Sequence, residues 1–390
     1  MTSEWNHFAL GEITELVIDY RGKTPKKLGG DWCKQGYRAL SAKNIKTGRI
    51  VQAETIRYID ESLYRKWMKD EVQRGDILIT SEAPFGQIFF WDSDEKIVLS
   101  QRLFCVRIKP EYDARFIYYY MTTPEFQSEL DGRATGTTVI GLRQPELMKC
   151  IIRCPEIQEQ KVIAAILSSI DAKIIANEKV NDNLHQQAAT LFNALFVDLT
   201  PFDGTMPPNW TISTLGDATE MGAGGDKPKE SSPVKTPLCP YPIYSNGIND
   251  YGLYGYTNDP KIKVESVTVS ARGTIGYVCL RHTPYVPIVR LVTLIPDTKV
   301  LSAKYLYLYL RQLHITGTGT TQQQLTVPDF RKTEIIIPDK NTMDSFTETV
   351  TPLFEQIWAN EDENTKLAEV RDALLPKLMS GEIDVSDIQL

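Results

Sequence analysis

Residues 163–195 read IAAILSSIDAKIIANEKVNDNLHQQAATLFNAL, and 183 positions later residues 346–378 read FTETVTPLFEQIWANEDENTKLAEVRDALLPKL. In the first stretch Ile163, Leu167, Ile170, Ile174, Asn177, Asn181, Leu184, Ala188, Leu191 and Leu195 are spaced alternately four and three apart. That spacing is a heptad seam on one helix face. The second stretch repeats it as Phe346, Val350, Leu353, Ile357, Asn360, Asn364, Leu367, Arg371, Leu374 and Leu378. Two long helices are predicted, over 157–197 and 341–379. At ~1.5 Å per residue each would span about 50–60 Å.

Both seams carry two asparagines at their midpoints. A polar pair in an apolar seam lowers stability but fixes register and partner; the alternative is a wet kink at mid-helix. Tandem copies related by a common two-fold axis place the helices antiparallel. Asn177 is then expected opposite Asn364, Asn181 opposite Asn360, Ile163 near Leu378 and Leu195 near Phe346.

The repeat extends upstream. Gly136-Thr137-Thr138, Pro145 and Ile151-Ile152-Arg153-Cys154-Pro155 recur as Gly319-Thr320-Thr321, Pro328 and Ile335-Ile336-Ile337-Pro338. Phe116–Met121 matches Tyr305–Leu310, Ile79-Thr80-Ser81 with Phe85-Gly86 matches Val269-Ser270-Ala271 with Ile275-Gly276, and Leu10-Gly11 matches Leu215-Gly216. The order holds while the offset drifts, as loops of unequal length require. Each copy opens with short β-type runs (76–80, 87–91, 103–108; 266–270, 289–295), is interrupted by one helix (115–121; 304–313) and closes in a long helix. The fold class is α+β. It consists of two similar α/β domains, 1–155 and 200–338, with spacer helices in 156–199 and 339–390, the latter followed by a short tail.

The chain carries a net charge of −7 over 390 residues. The acid is concentrated in the helical segments, −3 over 156–199 and −8 over 339–390, whereas residues 1–150 are +1 and 200–338 are +2. Such a distribution permits nucleic-acid binding through local patches. No apolar run reaches the ~18–20 residues needed to span a bilayer, and the first ten residues lack a signal-peptide pattern, so a cytoplasmic location is expected. The six scattered cysteines fit that compartment. Cys150 and Cys154 flank isoleucines, with no histidine near, and read as thiols of an apolar strand rather than metal ligands.

No catalytic motif stands out. There is no Asn-Pro-Pro-Tyr-like tetrapeptide and no phosphate-binding glycine loop. Gly222, Gly224 and Gly225 lead into Asp226-Lys227-Pro228 and read as a surface loop. Asp76 with Asp94-Glu95-Lys96 imitates a nuclease metal site, but the second copy has Ser266 and no such triplet. His7, His185, His282 and His314 show no ligand spacing. No metal and no cofactor are expected on this chain.

With the repeat in hand, the chain resembles the specificity subunit of Type I restriction-modification systems. The resemblance rests on Pro155-Glu156-Ile157-Gln158-Glu159-Gln160-Lys161-Val162-Ile163, on Leu374-Leu375-Pro376-Lys377-Leu378-Met379-Ser380-Gly381-Glu382-Ile383, on Arg74–Leu78 and on Leu99–Arg102. It implies two target-recognition domains held apart by an antiparallel helix pair (a coiled coil), each reading one half of a split double-stranded DNA target. It further implies helices that dock two methyltransferase subunits, and translocase-nuclease subunits that complete the complex. S-adenosylmethionine, ATP and Mg²⁺ would serve those partners, and this chain would be non-catalytic. Candidate DNA contacts, chosen as basic and amide or hydroxyl residues near turns, are Lys23, Lys26, Lys43, Asn44, Gln101, Arg102, Thr137, Thr138 and Arg143 in the first domain. In the second they are Lys227, Lys229, Ser245, Asn246, Arg272, Arg290, Gln322 and Gln323. The competing reading is a non-catalytic protein-binding scaffold with a coiled-coil spacer, which the acidic balance favours.

Overall fold

Each copy begins with a strand that returns to pair with the strand just ahead of its long helix. In the computed structural model, which describes residues 5–136, 140–317 and 324–388, Asn6–Ala9 pairs antiparallel with Ile151–Cys154, and Thr211–Thr214 with Glu334–Ile337. The next residues are the Leu-Gly dipeptides noted above. Leu10 N–H donates to the Cys150 carbonyl and Gly11 N–H to Met148, while Leu215 donates to Thr333 and Gly216 to Arg331. A Cβ on Gly11 would lie 3.2 Å from the Met148 oxygen, and one on Gly216 3.0 Å from Arg331 Cβ. Both glycines therefore serve the close approach of two backbones.

A four-stranded sheet follows, with the same order in both copies. In the first it runs Thr14–Ile18, Leu103–Ile108, Ile77–Thr80, Ile88–Phe90; in the second Thr219–Ala223, Val292–Pro296, Ser266–Val269, Val278–Arg281. All neighbours are antiparallel. One helix packs on each sheet, Ala114–Met121 capped by Asp113 and Ala303–Gln312 capped by Ser302, whose side chains accept from Phe116 N–H and Tyr305 N–H. Such caps satisfy amides that the first helical turn leaves without partners. A smaller sheet completes each domain. In the first, Arg57–Ile59, Tyr37–Leu40 and Ile97–Leu99 pair; in the second, Ser231–Ser232, Leu253–Thr257, Tyr241–Tyr244 and Val286–Pro287 do so.

The expected strand over 289–295 starts instead at Val292. Val289 and Arg290 hold left-handed backbones (φ +53° and +60°), outside the strand region and disfavoured for a β-branched residue. Their amides donate to the Gly225 and Gly224 carbonyls. A Cβ on Gly224 would sit 2.8 Å from Ile288 N. Gly224 is thus buried against residues 287–288 rather than part of a surface loop, while Gly222 and Gly225 remain exposed.

The long helices span Ile157–Phe192, continued by a π-helical turn over Asn193–Val197, and Lys340–Met379. The chain divides into two compact units, 1–176 with 363–390, and 177–362. Each unit contains a stretch of both helices. The final segment, assigned from sequence as one piece over 339–390, is therefore shared. Residues Leu378, Met379 and Val385 share the first core with Trp5 and Leu10, which draws the tail to the N-terminal strand.

Within each unit the helices run antiparallel, as expected. In the first unit Ile163 and Leu378 lie in one core, Arg371 donates to Asp171 at 2.8 Å, and Asn364 donates to the Ile174 carbonyl at 3.5 Å. In the second, Asn360 Nδ2 donates to Asn181 Oδ1 at 2.7 Å, and Asn181 Nδ2 to the Ile357 carbonyl at 3.2 Å. Both of these asparagines are buried. Asn360 Oδ1 also accepts from Gln356 Nε2 at 2.8 Å, so the two amides are satisfied by one mutual bond and their neighbours, which lets them sit in an apolar seam. Leu195 packs against the core that holds Phe346. Asn177 and Asn364 belong to different units, so their expected pairing is not a contact within either one.

Candidate nucleic-acid interface

In the first domain, residues far apart in sequence meet in one groove of about 220 Å³ lined by Trp32, Lys43, Asn44, Arg57, Gln101 and Arg102. The parallel pairing of Tyr37–Leu40 with Ile97–Leu99 is responsible, because it brings the two strand exits together. Ala42 N–H donates to the Gln101 carbonyl at 3.1 Å, locking the turns that carry Lys43 and Gln101 side by side. Lys43, Gln101 and Arg102 are exposed. Arg102 takes a left-handed backbone (φ +65°) and pairs with Glu82 at 2.9 Å.

Asn44 has another task. Its Oδ1 accepts from Ser41 N–H (3.1 Å) and Ser41 Oγ (2.8 Å), and its Nδ2 donates to Thr55 Oγ1 (3.0 Å) and the Gln52 carbonyl (3.3 Å). The amide's capacity is full and the residue is 1% exposed, so Asn44 shapes the turn rather than presenting a free amide at the surface. Lys23 also serves the scaffold. Burial lowers its ammonium below the ordinary lysine value; it donates to the Trp67 carbonyl at 2.6 Å and lies 3.7 Å from the Tyr20 ring centre. Lys26 is exposed on the short turn Lys26–Leu28, and Arg143 is exposed at the start of the helix Gln144–Leu147. Thr137 and Thr138 lie outside the described residues.

Sequence reasoning missed four members of this face. Arg57 stacks over Trp32 at 4.6 Å, Arg21 reaches the Leu142 carbonyl at 3.3 Å while lying over Phe104, and Glu82 holds Arg102. None belongs to a motif. Only Glu82 had an available signal, since it directly follows Ser81 in the repeat.

In the second domain Asn246 is the organising residue. Its Oδ1 accepts from Ala271 N–H at 2.7 Å and its Nδ2 donates to the Val289 carbonyl at 2.6 Å. It ties the turn carrying Arg272 to the one carrying Arg290, and both arginines are exposed. Ser245 lies beside it, its N–H bonded to the Gly252 carbonyl. Arg272 donates to Gln324 at 3.2 Å. Lys227 and Lys229 are exposed, the former 5.2 Å from the Tyr254 ring centre. Gln322 and Gln323 lie outside the described residues.

The nuclease-like quartet does not assemble. Asp76 is buried and bonded to Arg107 at 2.8 Å; Asp94 pairs with Arg74, Glu95 with Arg38 and Lys96 with Glu71. Burial pushes the Cys150 and Cys154 thiols up to about 12. Among the described residues no group of three or more His, Cys, Asp or Glu side chains is placed to hold a metal, and no helix is long and apolar enough to cross a membrane.

Comparison with known proteins accords with this architecture. The family model described as the Type I restriction modification DNA specificity domain matches twice, over residues 2–186 and 207–369. The specificity subunit of the Type I restriction enzyme MjaIX of Methanocaldococcus jannaschii is 26% identical over 348 residues, covering 81% of this chain and 79% of the relative. That of the HindI enzyme of Haemophilus influenzae is 24% identical, covering 81% and 88%. The crystal structure of a Type I restriction-modification S subunit from M. genitalium superposes with a TM-score of 0.60 over 96% of both chains at 17% identity, a likeness of fold. Two matches to one family model, together spanning most of the sequence and falling on the two structural copies, establish that the chain belongs to the Type I restriction modification DNA specificity family.

Proposed function

We propose that this chain is the DNA target-recognition subunit of a Type I restriction-modification complex, reading one half of a bipartite site with each domain. The observation that carries the reading is the convergence of Lys43, Arg57, Gln101 and Arg102 in one groove of the first domain. Exposed cations suit phosphates, and an exposed amide beside a guanidinium suits base edges. The chain acts with methyltransferase and nuclease subunits and is not itself catalytic. The helix pair docks two methyltransferase subunits, and the acidic face of the second helix is the surface offered. S-adenosylmethionine, ATP and Mg²⁺ are assigned to those partners.

Duplex binding measured across a salt series with the cognate methyltransferase present tests the reading. Counterion release makes affinity fall steeply, by roughly 10³–10⁵ between 50 and 200 mM salt for six to ten phosphate contacts. A protein-binding scaffold would bind no DNA at any salt.

Alanine at the groove separates two roles. Gln101→Ala or Arg102→Ala is expected to weaken one half-site by roughly 1–3 kcal/mol where the residue touches a base. A phosphate contact would instead weaken all sequences alike and reduce the salt slope by about one unit. Unchanged affinity in both variants would place the reading face elsewhere.

A further inference from the structure

We propose that Glu82 and Arg272 occupy the same place in the two copies and determine specificity with opposite chemistry. Glu82 selects a base that presents an exocyclic amine, and Arg272 selects a guanine in the other half-site. The inference rests on the DNA-reading function proposed above.

The equivalence follows from backbone hydrogen bonds. The strands Ile77–Thr80 and Ile88–Phe90 of the first copy, and Ser266–Val269 and Val278–Arg281 of the second, are joined by turns of the same construction. Thr80 N–H donates to the Gln87 carbonyl at 2.9 Å, as Ser270 N–H does to Tyr277 at 3.0 Å. Gly86 N–H returns to Thr80 at 3.1 Å and Gly276 N–H to Ser270 at 3.0 Å, with φ of +70° and +84°. A neighbouring loop docks alike on both: Leu142 N–H donates to Ser81 and Leu325 N–H to Ala271, each at 3.0 Å. Ser81 and Ala271 are therefore one position, and the next residue is Glu82 in one copy and Arg272 in the other.

Both side chains reach the candidate reading face. Glu82 holds Arg102 at the rim of the groove that contains Gln101 and Lys43. Gly141 lies beside it, where a Cβ would sit 3.4 Å from Glu82 Oε2. Arg272 is exposed and meets Gln324, the residue that takes the place of Gly141 in the second copy. An ionised carboxylate only accepts hydrogen bonds and a guanidinium only donates them. In the major groove cytosine N4 and adenine N6 are donors, while guanine N7 and O6 are acceptors. Two domains sharing a backbone thus present opposite demands at one point, and so read different half-sites.

The test uses the chain co-expressed with its cognate methyltransferase subunits, a randomised duplex library and S-adenosylmethionine, with sequencing of the methylated sites. Glu82→Gln adds donors without changing size; it is expected to reduce the preference at one base pair of one half-site by roughly tenfold or more. Arg272→Gln is expected to do the same in the other half-site. Unaltered base frequencies in both variants would overturn the proposal, and so would a uniform loss at all sites, which marks a phosphate or packing role. An unsubstituted complex that methylates without sequence preference would instead sink the DNA-reading function itself.

Discussion

Replacing residues 1–155 with the recognition domain of another specificity subunit will change one half of the methylated target and leave the other half as it was. The two domains have separate cores, one built on the Ile77–Thr80 and Leu103–Ile108 strands and the other on Ser266–Val269 and Val292–Pro296. A junction after Pro155 keeps the pairing of Asn6–Ala9 with Ile151–Cys154 inside the transplanted piece. Two contacts decide whether the graft seats. Buried Gln160 accepts from Asp113 N–H at 2.9 Å and donates to the Pro155 carbonyl at 2.8 Å, so the donor must offer an amide at the start of the same helix. Trp5 packs with Met379 and Val385 in the same core, so it must also supply a large apolar residue there. With each mismatched base pair costing roughly 1–3 kcal/mol, two or three changed positions lower use of the old half-site by about thirtyfold or more. Sequencing of methylated sites reads the result, and a change in both halves would show that the domains do not read independently.

The parts of the fold written in periodicity were legible in the sequence. The helix seam is local, so its ten positions per helix could be read from spacing, and the two-fold relation of the copies added the meeting of Asn181 with Asn360. The repeat carried the sheet order from one copy to the other, because Leu10-Gly11 and Leu215-Gly216, or Gly86 and Gly276, perform the same backbone task twice. The left-handed Val289 was hidden, since valine favours strands and the bonds that hold it otherwise come from Gly225 and Asn246, both distant in sequence. The groove was legible only in part. Lys43, Gln101 and Arg102 sit at turns and could be named. Trp32 and Arg57 join them through pairings between segments up to 60 residues apart, which no local pattern announces. Asn44 shows the reverse error. An asparagine beside a lysine near a turn has the composition of a reader, but its four hydrogen bonds are all made within its own loop.

The internal repeat also predicts how the first unit tolerates loss of a polar helix-to-helix clasp. Asp171 on the first long helix accepts from Tyr119 Oη at 2.6 Å and from Arg371 on the second long helix at 2.8 Å. Burial, and then the neighbouring Asp171 charge, push the Tyr119 phenol well above its ordinary range. Burial works against the Arg371 charge, yet hydrogen bonds to Asp171 and Asp372 raise its pKa. Asp171→Ala removes the shared acceptor, leaving the largely buried phenol without that bond and the guanidinium with Asp372 alone. Breaking a buried pair costs ~3–5 kcal/mol, and side-chain exposures of 25% and 31% for Asp171 and Arg371 reduce that to about 2–3 kcal/mol. The corresponding positions of the second copy are Leu308, Phe354 and Ala188, all buried and apolar. The same fold is therefore already built there without charge. The triple variant Tyr119→Leu, Asp171→Phe, Arg371→Ala carries that solution into the first unit, and apolar replacement of a whole buried polar set is often neutral or stabilising. Asp171→Ala is expected to lower the melting temperature of the first unit by roughly 5–10 °C, and the triple variant to recover most of it. Hydrogen exchange of the amides in Ala114–Met121 assigns the effect to this unit. An unchanged Asp171→Ala, or a triple variant less stable than the single one, would show that the two copies do not share a packing scheme at this point.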